Sequence, residues 1–190
     1  MRLRYLFFPF AMLLASCSCA DVDPYLEELD EALDRKEMYL NYFNDRVEVL
    51  TSVLSEQEDP LQTYNLNRRL AHAYKAHCFD STMAYLNANR RLAQQMKDKD
   101  RVMETDFLMA LEYCIAGYYV EAGDLINLYD PKDVPSCLEL DFVRACQRFY
   151  GETTAYASSE ESYDEKKDLR DEYRTRLIEM LPEGSVEWCD

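Results

Sequence analysis

From Leu26 to Leu54 an apolar side chain returns every three or four residues: Leu26, Leu29, Leu33, Leu40, Phe43, Val47, Leu50 and Leu54. Lys36 alone interrupts the series. A helix turns once every 3.6 residues, so this spacing lays one apolar stripe along its side. A half-buried strand would alternate with a period of two, and no such run bounded by turn residues occurs anywhere in the chain. The stripe therefore predicts one long amphipathic helix. Asp23-Pro24 suits its cap and first turn, and Glu56-Gln57-Glu58-Asp59-Pro60 closes it. Such a stripe must be covered, either by the next helix of the same chain or by a second copy in a coiled coil. The sequence leaves both open.

The same helical spacing continues. A second helix is predicted over Gln62–Cys78, with Leu66, Leu70, Tyr74 and His77 on one face. Asp80 or Ser81 is suited to cap a third, which carries Met83, Leu86, Arg90, Ala93 and Met96. A fourth covers Arg101–Ala116, with Gly117 placed to end it, and a fifth covers Val120–Tyr129, stopped by Asp130-Pro131. Val134-Pro135-Ser136 opens a sixth, which runs to Tyr150. Gly151–Asp164 has the weakest helical pattern, and a last helix is expected over Glu165–Leu181. Only four glycines and six prolines punctuate 190 residues, too few for a turn-rich β fold. The fold class is therefore all-α, with moderate helices joined by short turns and packed antiparallel.

The first twenty residues read as a leader rather than as part of the fold. Arg2 and Arg4 precede a short apolar run from Tyr5 to Leu14, and small residues follow. That is the layout of a secretory signal, and it is too short to span a bilayer as a helix. Leu14-Ala15-Ser16-Cys17 fits a lipobox, in which Cys17 is lipidated, whereas Ser18-Cys19-Ala20 fits ordinary cleavage before Asp21. A retained signal anchor is the third alternative. The reading divides the chain into a signal at 1–20 and a helical domain at 21–190, exported to the periplasm or anchored to the envelope membrane. No later segment reaches the roughly 18 apolar residues of a spanning helix.

The formal net charge of −16 sets up a field that repels nucleic-acid phosphates and anionic lipid surfaces. Nucleic-acid contact by this segment is accordingly not expected. Seven cysteines show no CxxC pair and no repeated spacing, so this is not a disulfide scaffold. Most of them fall among apolar residues and read as small buried hydrophobes.

Two segments resemble each other. Phe79–Leu86 can be laid on Tyr119–Leu125, and the small residues Ala84 and Ala122 stand 38 positions apart, a period of helix-pair solenoids. Gly117-Tyr118-Tyr119-Val120-Glu121-Ala122, followed by Asp130-Pro131, resembles a tetratricopeptide repeat. There Gly117 would close the first helix, Ala122 would allow a close crossing, and Pro131 would stop the second. The predicted architecture is thus a tetratricopeptide-like solenoid of helix pairs with a long first helix.

A wider set of residues is similar to the N-terminal region of Bacteroidetes envelope proteins of domain-of-unknown-function family 6377, often labelled transcriptional regulators. The set includes Leu29-Asp30, Ala32, Arg35, Tyr39, Arg46-Val47, Tyr64, Leu70, Tyr74, Phe79-Asp80-Ser81, Tyr85, Asn89, Leu111, Gly117, Ala122, Tyr173-Arg174 and Leu181-Pro182. The resemblance implies an extracytoplasmic sensor region that binds a protein or peptide. It also implies that further repeats, a membrane helix and a cytoplasmic part follow. Since Val186–Asp190 lacks the polar cap that closes a solenoid, the domain is expected to be incomplete at its C-terminus.

The residues that carry chemistry do not assemble into a catalytic motif. His72 and His77 are five apart, off the i,i+3 and i,i+4 spacings that a helical zinc pair needs. Cys137 and Cys146, if on one helix, would be separated by a rise of ~13 Å, too far to bridge. GxSxG and phosphate-cradling glycine loops are absent. Glu160-Glu161 and Asp164-Glu165 read as solvated surface, with a weak cation site as the alternative. No cofactor is expected. Tyr118, Tyr119, Tyr150, Tyr156 and Tyr163 either pack between helices or line a peptide-gripping face. The resulting expectation is a non-enzymatic binding module. The alternative is a structural protein that self-associates, as a homodimer or larger, through Leu26–Leu54.

Overall fold

The computed structural model describes residues 24–182. The leader, with Cys17, Cys19 and both cleavage points, lies outside the described residues, as do Gly184, Trp188 and Cys189. Within them the chain is all-α: α1 (Pro24–Asp34), α2 (Lys36–Ser55), α3 (Pro60–Tyr74), α4 (Phe79–Met96), α5 (Lys99–Ala116), α6 (Tyr119–Ile126), α7 (Glu139–Thr153) and α8 (Glu160–Met180). Short 3-10 turns occupy Pro131–Asp133 and Thr154–Tyr156. The chain divides into one unit ending at Tyr42 and a second beginning at Phe43.

The first unit contains α1 and the opening turns of α2. The predicted long helix loosens at Arg35 but does not break its ladder: Arg35 N donates to Glu31 O at 3.3 Å and Tyr39 N to Arg35 O at 3.2 Å. Its apolar stripe is open to solvent, with Leu26, Leu29 and Leu33 each more than half exposed and Leu40 at 41%.

The second unit is built from three helix pairs: α3 with α4, α5 with α6, and α7 with α8. The leading helices start at 60, 99 and 139 and the trailing helices at 79, 119 and 160, a repeat of about 40 residues rather than 38. The longer register changes which residues are equivalent. Ala122, the fourth residue of α6, is fully buried, and its counterpart four residues into α4 is the buried Thr82. Ala84 lies two residues further on and is exposed, so it is not the small residue at a helix crossing. The close approach uses Ala122 together with Gly123, where an added Cβ would stand 3.0 Å from the Phe149 ring.

The ends of the helices follow local chemistry. Asp59, Asp98 and Ser159 cap α3, α5 and α8 by accepting N–H groups of Gln62, Arg101 and Ser162. Neither Asp80 nor Ser81 caps α4; the N-cap is Cys78, in extended conformation, because α3 stops at Tyr74 and the turn tightens through His77. Gly117 closes α5 in the left-handed region at φ 84, where a Cβ would be strained. Lys97 takes the same role after α4 at φ 57. Pro131 does not stop α6, which has already ended at Ile126; it opens the following 3-10 turn. Val134-Pro135-Ser136 is a turn ahead of α7 rather than its start, and α8 recruits the polar residues from Glu160 that the sequence pattern left out.

Three apolar clusters hold the pairs together. Leu50 of α2 joins Leu66 and Leu70 of α3, with Val47 and Leu54 packed alongside. Ala71, Met83, Leu86 and Met109 join α3, α4 and α5. Phe107, Ile126, Phe142, Val143, Cys146 and Tyr173 join α5 to α8. Of the four cysteines among the described residues, Cys114 and Cys146 are buried and Cys78 and Cys137 exposed, so the buried-hydrophobe reading holds for half of them. Burial pushes the Cys114 thiol up to about 11 and the Cys146 thiol up to about 12, which keeps both protonated and unreactive near neutral pH. Cys137 precedes α7, so it shares no helix with Cys146.

Buried polar groups lock the stacking order. Asp106 of α5 is fully buried and accepts Arg90 Nε of α4 at 2.5 Å and the Tyr129 hydroxyl at 2.6 Å. The Tyr64 hydroxyl of α3 reaches α5, 3.1 Å from Arg101 O, 2.9 Å from Glu104 Oε2 and 2.9 Å from Thr105 Oγ1. Asn89 of α4 donates to Tyr64 O at 3.0 Å. These contacts fix neighbouring pairs in one register, which apolar packing alone would specify less sharply.

Candidate functional site

The leading helices of the three pairs, with Arg46 of α2 and Thr82 and Leu86 of α4, line an open groove of about 520 Å³, a size typical of ligand-binding clefts. Six cationic or ionisable nitrogen side chains point to it: Arg46 from α2, Arg68, Arg69 and His72 from α3, Lys75 just after it, and Arg144 from α7. Glu104 and Glu112 of α5 and Asp141 of α7 are the acidic members, and Leu108 and Leu111 supply an apolar strip between them. The α3 cations follow from helix geometry. Arg68, His72 and Lys75 stand at i, i+4 and i+7, so they project from one face.

Part of this charge is internally balanced. Arg68 pairs with Glu104 at 2.6 Å, and Arg144 lies 3.4 Å from Asp141. Glu112 is buried, and its desolvation raises the carboxyl pKa, with the positive charge of Lys75 opposing the shift. Among the described residues no carboxylate pairs with Arg46, Arg69 or Lys75, and all three are exposed. The groove therefore has a cationic excess on a chain of net charge −16. His72 reports the same field: burial first, and then Lys75, Arg46 and Arg68, hold its imidazole below the ordinary histidine value.

The sequence-derived candidates are not brought together here. His72 lines the groove, while His77 sits against the Phe43 ring at a centroid distance of 4.1 Å, so the two histidines do not form a pair. The five tyrosines separate too. Tyr118 stacks on Phe79 at 5.5 Å, Tyr119 lies beside Tyr156 at 5.6 Å, and Tyr150 stacks on Tyr173 in the core at 5.8 Å. Tyr163 is on the outer side of α8, 44% exposed. None of them lines the groove. Among the described residues no group of three His, Cys, Asp or Glu side chains could hold a metal ion, Glu160-Glu161 and Asp164-Glu165 included. No described helix is long and apolar enough to cross a membrane.

The groove itself escaped the sequence reading. Its cations come from helices up to about a hundred residues apart, and the acidic total masks them. The legible signal was the basic spacing in Arg68, His72 and Lys75, which lies opposite the apolar residues Leu66 and Leu70, with Arg69 flanking them.

Residues 33–189 match the family described as the SusR N-terminal TPR domain. The chain matches no curated protein and no solved structure. All-helical repeat domains of this kind are typical protein–protein interaction modules, and they are non-enzymatic scaffolds.

Proposed function

The chain belongs to the SusR N-terminal TPR domain family, and from that membership we propose that it is an extracytoplasmic recognition module that holds a segment of a partner protein along the groove of α3, α5 and α7. The observation that carries this is the groove itself: an open, ligand-sized channel with charged and apolar side chains interleaved. The signal-like residues 1–20 and the similarity to Bacteroidetes envelope regulators support a place outside the cytoplasm, in the periplasm or tethered to the membrane through Cys17. In a longer regulator of that kind, occupancy of the groove would be passed inward through a membrane helix.

Selection of displayed random peptides on the purified domain tests the reading. Enriched peptides should shift backbone amide resonances along α3, α5 and α7 and leave the outer faces of α6 and α8 unmoved. Failure to enrich any peptide, or shifts confined to the outer helices, counts against it.

A second reading has its own support in the first unit. Leu26, Leu29, Leu33 and Leu40 keep the spacing of a coiled-coil seam and remain exposed. Such a stripe is the kind of surface that a second copy covers. Sedimentation equilibrium of residues 21–190 should then give a dimer that Leu29→Lys with Leu33→Lys converts to monomer. A wild-type monomer at high concentration ends this alternative.

A further inference from the structure

We propose that the segment held in the groove is an acidic, extended peptide, with its carboxylates on Arg46, Arg69 and Lys75 and its apolar side chains on Leu108 and Leu111. This rests on the groove reading above and specifies the chemistry of its occupant.

The argument begins with charge accounting. Arg68 and Arg144 are matched by Glu104 and Asp141 from the groove's own walls. Arg46, Arg69 and Lys75 have no such match among the described residues, and they arise from separate turns of α2 and of α3 and its end. A chain with 37 acidic side chains and 21 basic ones has no shortage of carboxylates to neutralise three cations. Their collection in one groove without ion-pair partners among the described residues therefore leaves charge-assisted hydrogen-bonding capacity for an incoming anion. The positive field extends to His72, on the same face.

The form of the anion follows from what surrounds the cations. Glu104, Glu112 and Asp141 lie in the same groove and would repel a ligand with dense, evenly spaced negative charge. The net charge of the chain repels such a polyanion at longer range as well. A peptide with carboxylates spaced by other residues can place each one on a cation and avoid the acidic wall. Leu108 and Leu111 on α5 then offer contact to the apolar side chains between them. A nucleic-acid strand has no equivalent of that alternation and carries its charge at every step.

The test uses fluorescein-labelled octapeptide pools in anisotropy titrations with the purified chain. In one pool Glu alternates with randomised apolar residues, in a second Gln replaces Glu, and a third probe is a short oligothymidylate. The Glu pool should bind, the Gln pool should bind about tenfold more weakly or worse, and added salt should weaken the Glu pool. Arg69→Ala with Lys75→Ala, both at exposed positions, should lower Glu-pool affinity by about tenfold or more with an unchanged helical circular-dichroism spectrum. Equal binding of the Gln pool to wild type overturns the acidic assignment and leaves the groove reading standing. Tighter binding of oligothymidylate than of the Glu pool overturns it in favour of a polyanion site. Binding of the Glu pool undiminished in the double variant places the ligand elsewhere and overturns it. No binding by any pool removes both readings.

Discussion

Asp106→Ala should lower the unfolding free energy by about 3 kcal/mol in urea denaturation followed by circular dichroism. Asp106 is fully buried on α5, and its carboxylate is the meeting point of α4, through Arg90, and of the segment after α6, through Tyr129. Alanine removes the acceptor for the Arg90 Nε contact at 2.5 Å and for the Tyr129 hydroxyl at 2.6 Å. The buried end of Tyr129 then loses its partner. Its phenol pKa already stands above the ordinary tyrosine range, first through burial and next through donation to Asp106. Hydrogen bonds to charged groups contribute about 1.5–3 kcal/mol each. The estimate stays at the lower end of what breaking a buried pair costs, because Arg90 is 33% exposed and can turn toward water. A double-mutant cycle with Arg90→Ala should show coupling, since the two residues act through one contact. A loss under about 1 kcal/mol would show that Asp106 does not organise the stack.

Phe142→Ala should cost about 3–5 kcal/mol, the range for emptying a large aromatic site in a core. Phe142 is 1% exposed on α7. Its ring lies 5.1 Å from Phe107 of α5 and meets Tyr173 of α8 edge-on at 6.0 Å. Through it α7 touches both α5 and α8. In a solenoid each element is held mainly by its neighbours, so the damage should be directional. Hydrogen exchange should speed up most in α8, which packs on α7 and the 3-10 turn that follows it, and least in α3 and α4. Leu128→Ala is the matched control: Leu128 is 61% exposed, so its loss should be within about 0.5 kcal/mol. Equal effects from Phe142→Ala and Leu128→Ala would remove this picture of the core.

Local features were the most legible. Asp59-Pro60, read as the close of the first helix, marks the break before α3, and Gly117 marks the end of α5; both could be read as helix punctuation because capping and turn formation involve only adjacent residues. Equivalence between repeats was harder. Ala84 and Ala122 share a residue type, but the buried partner of Ala122 in the preceding pair is Thr82, since the fold needs a small volume at that crossing rather than a particular side chain. The stripe from Leu26 to Leu54 shows the same limit. Its spacing announced a helix face, yet Val47, Leu50 and Leu54 meet α3 while Leu26, Leu29 and Leu33 face solvent.

The sequence by itself determined that the chain would be helical and where most helices would lie, because periodicity, caps and the scarcity of Gly and Pro act over a few residues at a time. The leading helices' basic channel was decided only by tertiary structure. Arg46, Arg69 and Arg144 stand far apart in the chain, and what makes them one site is the packing of α2 on α3 and the stacking of α3, α5 and α7, which the hydrogen bonds of Tyr64 and Asp106 help to hold in register. Net charge sums over every residue and carries no positions, so an acidic chain could conceal a cationic groove.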